Sequence, residues 1–326
     1  MLKDYKIIHL AFDFGGGGSI PKIINDIIKH VPLTHYVFSL KECQRDDKTY
    51  YGDYNEFVKI VNKIKPHIIH LHINSQINFK LEDFNYTPKV IQTLHGSEKS
   101  NFVNHCDEVV CIHNCALSFN SGASVIYNGI DVDYKVDPDS LKHNNPIFTG
   151  RTTTERLNED TAKVLSDCTI DGNKTDIVGY YGICMYAKLF SQYVNAHSNL
   201  NLVDWQKDMR KTYTNAMFLL VWYPECKMAH NKLPYGLNVL EAVGCGLPVV
   251  AHVREQSNQQ LIINGVTGYV CQNEQELIDK ARLLQNDTDL LKEMASNTLQ
   301  YISPTISAKN MANAYFDKYM AMMDKL

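Results

Sequence analysis

Short apolar runs alternate with stretches whose apolar residues recur every three or four positions, and this pattern continues along most of the chain. Apolar runs bounded by polar turns predict buried strands, and the longer period predicts amphipathic helices. Strands are predicted at Lys6 to Phe12, His35 to Leu40, His67 to Ile73, Val90 to Leu94, Cys106 to Ile112 and Ser124 to Tyr127. A second series is predicted at Pro146 to Thr149, Thr175 to Val178, Leu200 to Val203, Met217 to Val221 and Leu247 to Ala251. Helices are predicted at Lys22 to His30, Tyr54 to Lys63, Met209 to Thr214, Asn238 to Val243, Glu274 to Asn286, Asp289 to Tyr301 and Ile306 to Leu326. Strands and helices in alternation imply an α/β fold with parallel sheets. Lys135 to Asn145 is polar, contains a proline and has no periodicity, so it reads as a linker. The expected domains are 1–139, 140–305 and a final helix over 306–326. That helix carries Ala312, Tyr315, Phe316, Tyr319, Met320 and Met323 on one stripe, which reads as core packing.

Composition narrows the picture. A chain of 326 residues with 44% hydrophobic and 21% charged residues supports two domains, each with its own core. The formal charge of −4 gives no chain-wide basic surface, although one basic face can sit within an acidic total. Nine cysteines include no CxxC pair, so neither a zinc site nor a disulfide framework is indicated, and reduced thiols in a cytoplasm are expected. The N-terminal apolar run is too short for a signal peptide, and no stretch is long enough to span a membrane.

The candidate chemistry centres on Leu233 to Ala251, LPYGLNVLEAVGCGLPVVA. It reads as a turn through Pro234, Tyr235 and Gly236, then a helix broken by Gly244 and Gly246, then a strand. A glycine at a helix start leaves backbone N–H groups free for an anion such as a phosphate. Glu241, one turn further in, suits two ribose hydroxyls, so the pair suggests a bound nucleotide. Gly15, Gly16, Gly17 and Gly18 follow the first strand, with Ser19 as the expected N-cap and Pro21 in the first turn. This is neither a Walker motif nor GxGxxG with its distant acid, and it is either a phosphate- or sugar-facing loop or a flexible turn. Arg151 and Arg156 follow a strand end, where two cations can neutralise a diphosphate. Trp205 either stacks on a base or packs in a core. His70 and His72 share one face of a strand, with no third metal ligand nearby in the sequence, and read as satisfied histidines.

These segments resemble the retaining family 4 glycosyltransferases of the GT-B fold. The resemblance rests on GLNVLEAVGCGLPVVA, on VIYNGID at Val125 to Asp131, on TLHG at Thr93 to Gly96, on Gly150 to Arg156 and on TDIVG at Thr175 to Gly179. It implies two Rossmann-like domains facing each other across a cleft, with the C-terminal helix crossing back to the first. It also implies a nucleotide-sugar co-substrate, most simply a UDP-sugar, no other cofactor and no metal. Asp131 and Asp133 spell the DxD of metal-dependent transferases, but they fall inside the longer GT-B match. Within the resemblance, His95, Arg151 and Arg156 are catalytic. Gly15 to Gly18, Gly179, Trp205, Tyr235, Gly236, Leu237 and Glu241 face the donor. The family places a first Glu eight positions before its second, and this chain has Leu233 there.

Gly150-Arg151-Thr152-Thr153-Thr154 also resembles the Gly-Arg-Thr-Thr-Thr of T-even phage DNA α-glucosyltransferases, GT-B enzymes that glycosylate 5-hydroxymethylcytosine in DNA. That likeness implies a 5-hydroxymethylated pyrimidine in phage DNA as acceptor, with Lys22, Lys29, Lys59, Lys63 and Lys65 as candidate phosphate contacts. The alternatives are a surface polysaccharide, glycolipid or small-molecule acceptor, and a sugar-nucleotide binder without catalysis, for which Leu233 is the motive.

Overall fold

The computed structural model describes residues 4–15, 18–75, 77–96, 98–131, 133–149, 158–179, 185–204, 206, 208–222, 236–252 and 260–324. The chain divides into two compact units, one formed by Met1–Asp131 with Ile306–Leu326 and the other by Val132–Thr305. Each is built on a parallel sheet.

The first unit holds strands β1 (Lys6–Ala11), β2 (Thr34–Ser39), β3 (Thr49–Tyr51), β4 (Ile68–Leu71), β5 (Lys89–Leu94), β6 (Glu108–Cys111) and β7 (Ser124–Val125). Their order across the sheet is β3-β2-β1-β4-β5-β6-β7, all parallel. The chain starts in the middle and builds first one way, then the other, so a switch point lies between β1 and β4. Alternation along the strands supplies two faces. Ile8, Leu10, Ile69 and Leu71 pack with Phe57 and Val61 of helix α2 (Tyr54–Ile64). Ile7, Ile68, Ile91 and Val110 pack with Ile23 and Ile27 of helix α1 (Ser19–His30).

A helix from the far end of the chain completes that second face. It spans Ala308–Met323 and is called α9 below, after the helices of the second unit. Met311, Ala312, Tyr315, Tyr319, Met322 and Met323 are buried there against the sheet and α1. VIYNGID makes this return possible. Ile130 N–H donates to the Ile306 carbonyl at 2.8 Å, and Ala308 N–H donates to the Ile130 carbonyl at 3.0 Å. A Cβ on Gly129 would stand 2.7 Å from the Ser307 carbonyl carbon, so only glycine lets the two strands of backbone come this close.

The second unit holds β8 (Ile147–Thr149), α3 (Glu159–Asp167), β9 (Thr175–Val178), α4 (Met185–Asn195), β10 (Leu200–Val203), α5 (Met209–Thr214) and β11 (Leu219–Val221). It continues with α6 (Leu237–Cys245), β12 (Val249–His252), β13 (Gly268–Cys271), α7 (Glu274–Asn286) and α8 (Thr288–Asn297). The sheet order is β10-β9-β8-β11-β12-β13, again parallel and again with its switch point beside the first strand.

Three local expectations are corrected. Ser19 is the first helical residue of α1 rather than its cap; Gly18 takes the N-cap position and makes no side-chain bond. Gly244 does not break α6, which runs on to Cys245 and stops at Gly246, where φ is +88° and the left-handed conformation ends the ladder. The helix expected over Asp289 to Tyr301 changes after Asn297 into a π-helical turn over Thr298–Ile302. There the Thr298 hydroxyl donates to the Met294 carbonyl at 2.7 Å and also approaches the Thr267 carbonyl at 3.2 Å, which disturbs the α-ladder. The strand Thr49–Tyr51 and the helices α3 and α4 were not resolved by the sequence pattern.

Candidate active site

In the second unit Gly179 and Gly236, two of the expected donor residues, lie at the C-terminal ends of central strands. Gly236 is the N-cap of α6, in an extended conformation (φ −69°, ψ 150°) with no side-chain bond across the cap. The first turn carries no acidic side chain. Its N–H groups therefore point a partial positive charge outward. Asn238 fixes the direction of that helix start. Its Nδ2 donates to the Thr149 carbonyl at 3.1 Å, which ties α6 to the end of β8. Thr149 lies beside Val178 in the sheet, and Gly179 follows Val178 directly. Gly179 and the α6 N-terminus thus flank the end of one strand. Glu241 is three residues beyond Asn238, on the same side of α6, and is partly exposed, as are Gly236 and Leu237.

The other end of α6 is closed by a cation. Lys135 Nζ donates to the Gly244 carbonyl at 2.7 Å and contacts Ser303 Oγ. Burial pushes the Lys135 ammonium down from its ordinary pKa, and the helix's negative end compensates. In the sequence Lys135 falls in the polar linker; only the fold places it under the helix.

Arg151, Arg156, Gly16, Gly17, Trp205 and Tyr235 lie outside the described residues, as does Leu233. The two carboxylates of the DxD string are each engaged by cations. Asp131 contacts Lys29 and accepts from His30 Nε2 at 3.0 Å at the end of α1, and Asp133 is 3.5 Å from Arg210.

In the first unit, Gly15 follows β1 and packs against Cys43, at the edge of a cavity of ≈ 420 Å³ that also meets Arg45 and Asp46. His95 follows β5 and is partly exposed. Burial holds its imidazole down at about 4, so it is neutral near pH 7.

Behind His95 lies a row of histidines that the sequence did not announce. His95 Nε2 is 3.0 Å from His72 Nδ1. His72 Nε2 is 3.1 Å from His9 Nδ1, and His9 Nε2 is 3.0 Å from His35 Nδ1. His35 Nε2 ends the row on the Val31 carbonyl at 3.2 Å. His70 stands beside it, bonded to Tyr319 Oη and Thr93 Oγ1, each at 2.7 Å. His9, His35, His70 and His72 are buried, and burial depresses all four imidazoles, His35 to about 4 and the other three well below their ordinary value. No third partner for His70 and His72 lies near them in the sequence; His9 supplies it from another strand. Ring nitrogens of His9, His70 and His72 lie within 4.8 Å of one another. A tetrahedral ion with bonds of about 2.0–2.1 Å needs its nitrogens roughly 3.4 Å apart. Both nitrogens of His70 are already taken by hydroxyls, so the arrangement fits a hydrogen-bonded row better than a metal centre.

Residues 204–301, which include α6, Gly236 and Glu241, match the family model of the glycosyl transferases group 1. No curated protein matches the chain. Solved structures match it over nearly its whole length. The Anabaena protein HepE, solved with UDP and glucose, has a TM-score of 0.76 at 16% identity and covers 97% of this chain and 100% of its own. Sucrose-phosphate synthase from Thermosynechococcus elongatus has a TM-score of 0.76 at 15% identity, covering 98% and 100%. A glycosyltransferase from Rickettsia africae has a TM-score of 0.74 at 15% identity, covering 98% of each chain. The two parallel α/β units match the GT-B fold of these glycosyltransferase structures, and the group 1 match lies within the second unit. At these identities the structural likeness speaks to the fold.

Proposed function

We propose that this chain is a retaining glycosyltransferase that moves a sugar from a UDP-sugar to a hydroxyl acceptor without a metal ion. One observation carries the reading: within the segment that matches the group 1 model, Asn238 ties the α6 N-terminus to the end of β8 and Glu241 follows one turn on, an arrangement that suits a diphosphate beside a ribose. The solved structure of HepE with UDP and glucose supports UDP as the nucleotide. Arg151 and Arg156 neutralise the departing diphosphate, together with the α6 N–H groups. No enzymic nucleophile is evident in the sequence, so retention rests on leaving-group stabilisation and positioning. The leaving phosphate takes the acceptor proton, and the family resemblance gives His95 a part in recognising the transferred sugar.

For the acceptor, the Gly150 to Thr154 string favours a 5-hydroxymethylated pyrimidine in DNA. A second reading, a saccharide, glycolipid or small molecule, has its own observation. Of the candidate phosphate-binding lysines, Lys29 is paired with Asp131 and Lys59 with Glu56. Sucrose-phosphate synthase, one of the similar structures, bears a sugar product in its name.

The test is mass spectrometry of hydroxymethylcytosine-containing duplex DNA, and of a panel of sugars and glycolipids, after incubation with UDP-sugars. A gain of one hexose mass on DNA supports the first acceptor, and a gain on a saccharide supports the second. Donor binding with no transfer and no donor hydrolysis would leave a binding protein. No donor binding at all would overturn the nucleotide-sugar reading.

A further inference from the structure

The histidine row crosses the first sheet on the diagonal. His9 pairs in register with Val37, so His35 stands two residues lower on β2. His9 also pairs with His70, so His72 stands two residues higher on β4. Leu71 pairs with Gln92, which sets His72 beside Thr93 and His95 two residues higher again. The row therefore climbs from the buried Val31 carbonyl to the C-terminal end of β5, one strand at a time.

Its hydrogen-bond polarity is fixed from the buried end. A carbonyl oxygen only accepts, so His35 Nε2 carries the proton toward Val31. A neutral ring has one N–H, so His35 Nδ1 is an acceptor, and His9 Nε2 must donate to it. The same step repeats: His72 Nε2 donates to His9 Nδ1, and His95 Nε2 donates to His72 Nδ1. Burial keeps the rings neutral, which is the condition the argument needs. Reversing any one link would set two donors or two lone pairs against each other in an apolar interior, which is costly. His95 Nδ1 is then the unprotonated nitrogen of the last ring. Among the described residues no partner is recorded for it.

We infer that His35, His9 and His72 are positioning residues that hold His95 in its Nε2–H form, so that His95 Nδ1 accepts a hydrogen bond from a substrate hydroxyl at the end of β5. The inference rests on the transferase reading for the identity of that hydroxyl, a sugar or acceptor O–H, and on the hydrogen-bond geometry and the burial of the rings for the tautomer. It reverses the simplest expectation for a neutral imidazole in such a place, which is that it donates. A lone pair here selects ligands with a free O–H and disfavours those in which that oxygen is methylated or is an anion.

The experiment is long-range ¹H–¹⁵N NMR of the full chain with ¹⁵N-labelled histidine, with assignments from single variants, combined with steady-state transfer kinetics. The wild-type protein should show His9, His35, His72 and His95 all as Nε2–H rings. His72→Leu removes the link and should leave His95 as a tautomer mixture, with kcat down by about tenfold and donor KM little changed. His72→Gln offers one acceptor and one donor at the same place, and should restore both the Nε2–H signature and most of kcat. His35→Leu cuts the row at the third ring from His95 and serves if His72→Leu does not fold. A wild-type His95 protonated on Nδ1 would overturn the inference whatever the activity. So would stoichiometric zinc lost on His72→Leu, since the row would then be a ligand set. A correct tautomer in a protein that transfers no sugar would sink the transferase reading instead, and with it the substrate hydroxyl, while leaving the tautomer assignment standing.

Discussion

Glu241 and Asn238 sit one turn apart on α6 and divide the work there. Asn238 anchors the helix to Thr149, and Glu241 lies partly exposed on the same side. A carboxylate that holds two ribose hydroxyls makes charge-assisted bonds worth roughly 1.5–3 kcal/mol each. Glu241→Ala should therefore weaken UDP binding by at least about tenfold in calorimetric titration, while Glu241→Gln, which keeps one acceptor oxygen, should fall between. Equal affinities would remove Glu241 from the ribose. Gly236 and Glu241 can be picked out in the sequence because they lie within one short string, whereas the tie from Asn238 to Thr149 cannot. Nor can the histidine row. His9 and His35 lie on β1 and β2, His72 and His95 just past the ends of β4 and β5, and the diagonal offset that joins them depends on the sheet register. The trace it left was a histidine at an inward position of each of those strands. A lone buried histidine has no such meaning, and only the combination does.

Among the elements, α9 is held by more than its apolar stripe. Tyr319 Oη bonds His70 Nδ1, and Tyr315 Oη bonds Thr93 Oγ1 at 3.0 Å, so the helix docks through a small buried polar network. Tyr319→Phe keeps the ring and removes one partner of His70. That should destabilise the first unit by about 1–3 kcal/mol in urea unfolding, the cost of leaving a buried ring nitrogen unmatched. No loss would mean that His70 has a second partner in reserve. The stripe itself was readable from Tyr315, Tyr319 and Met323. Where the helices end was less so. The sequence offered Gly244 and Gly246 equally as breaks for α6, and only the positive φ at Gly246 distinguishes them. The strand Thr49–Tyr51 escaped notice because three residues show no periodicity, and α3 because its nine residues begin with three polar ones.

For the whole chain, the two sheets share one plan, with the first strand central and the switch point beside it. The alternating apolar runs and helical periods imply parallel α/β units, and the family resemblance implies two Rossmann-like domains, but the strand order is visible only in the structure. The first unit's stability should also carry a signature of its buried rings. His9, His35, His70 and His72 stay neutral when folded, whereas in the unfolded chain they protonate near 6.5. Below that pH the unfolded state binds more protons, so stability falls as pH falls, by about 1.4 kcal/mol per pH unit for each ring, until the folded pKa is reached. For His35 that floor is about 4. The urea midpoint of the first unit should drop clearly between pH 7.5 and 5.5, and an unchanged midpoint would show that the rings are not held neutral. The division of the chain has a further consequence during synthesis. The face of the first sheet that α9 covers is made before residue 131, but the helix that covers it begins after residue 306. At about 5–20 residues per second, a ribosome needs roughly 10–35 s to cross that interval. For that time Ile68, Ile91 and His70 stand without their cover, and the nascent first unit is a client for whatever chaperone waits at the exit tunnel.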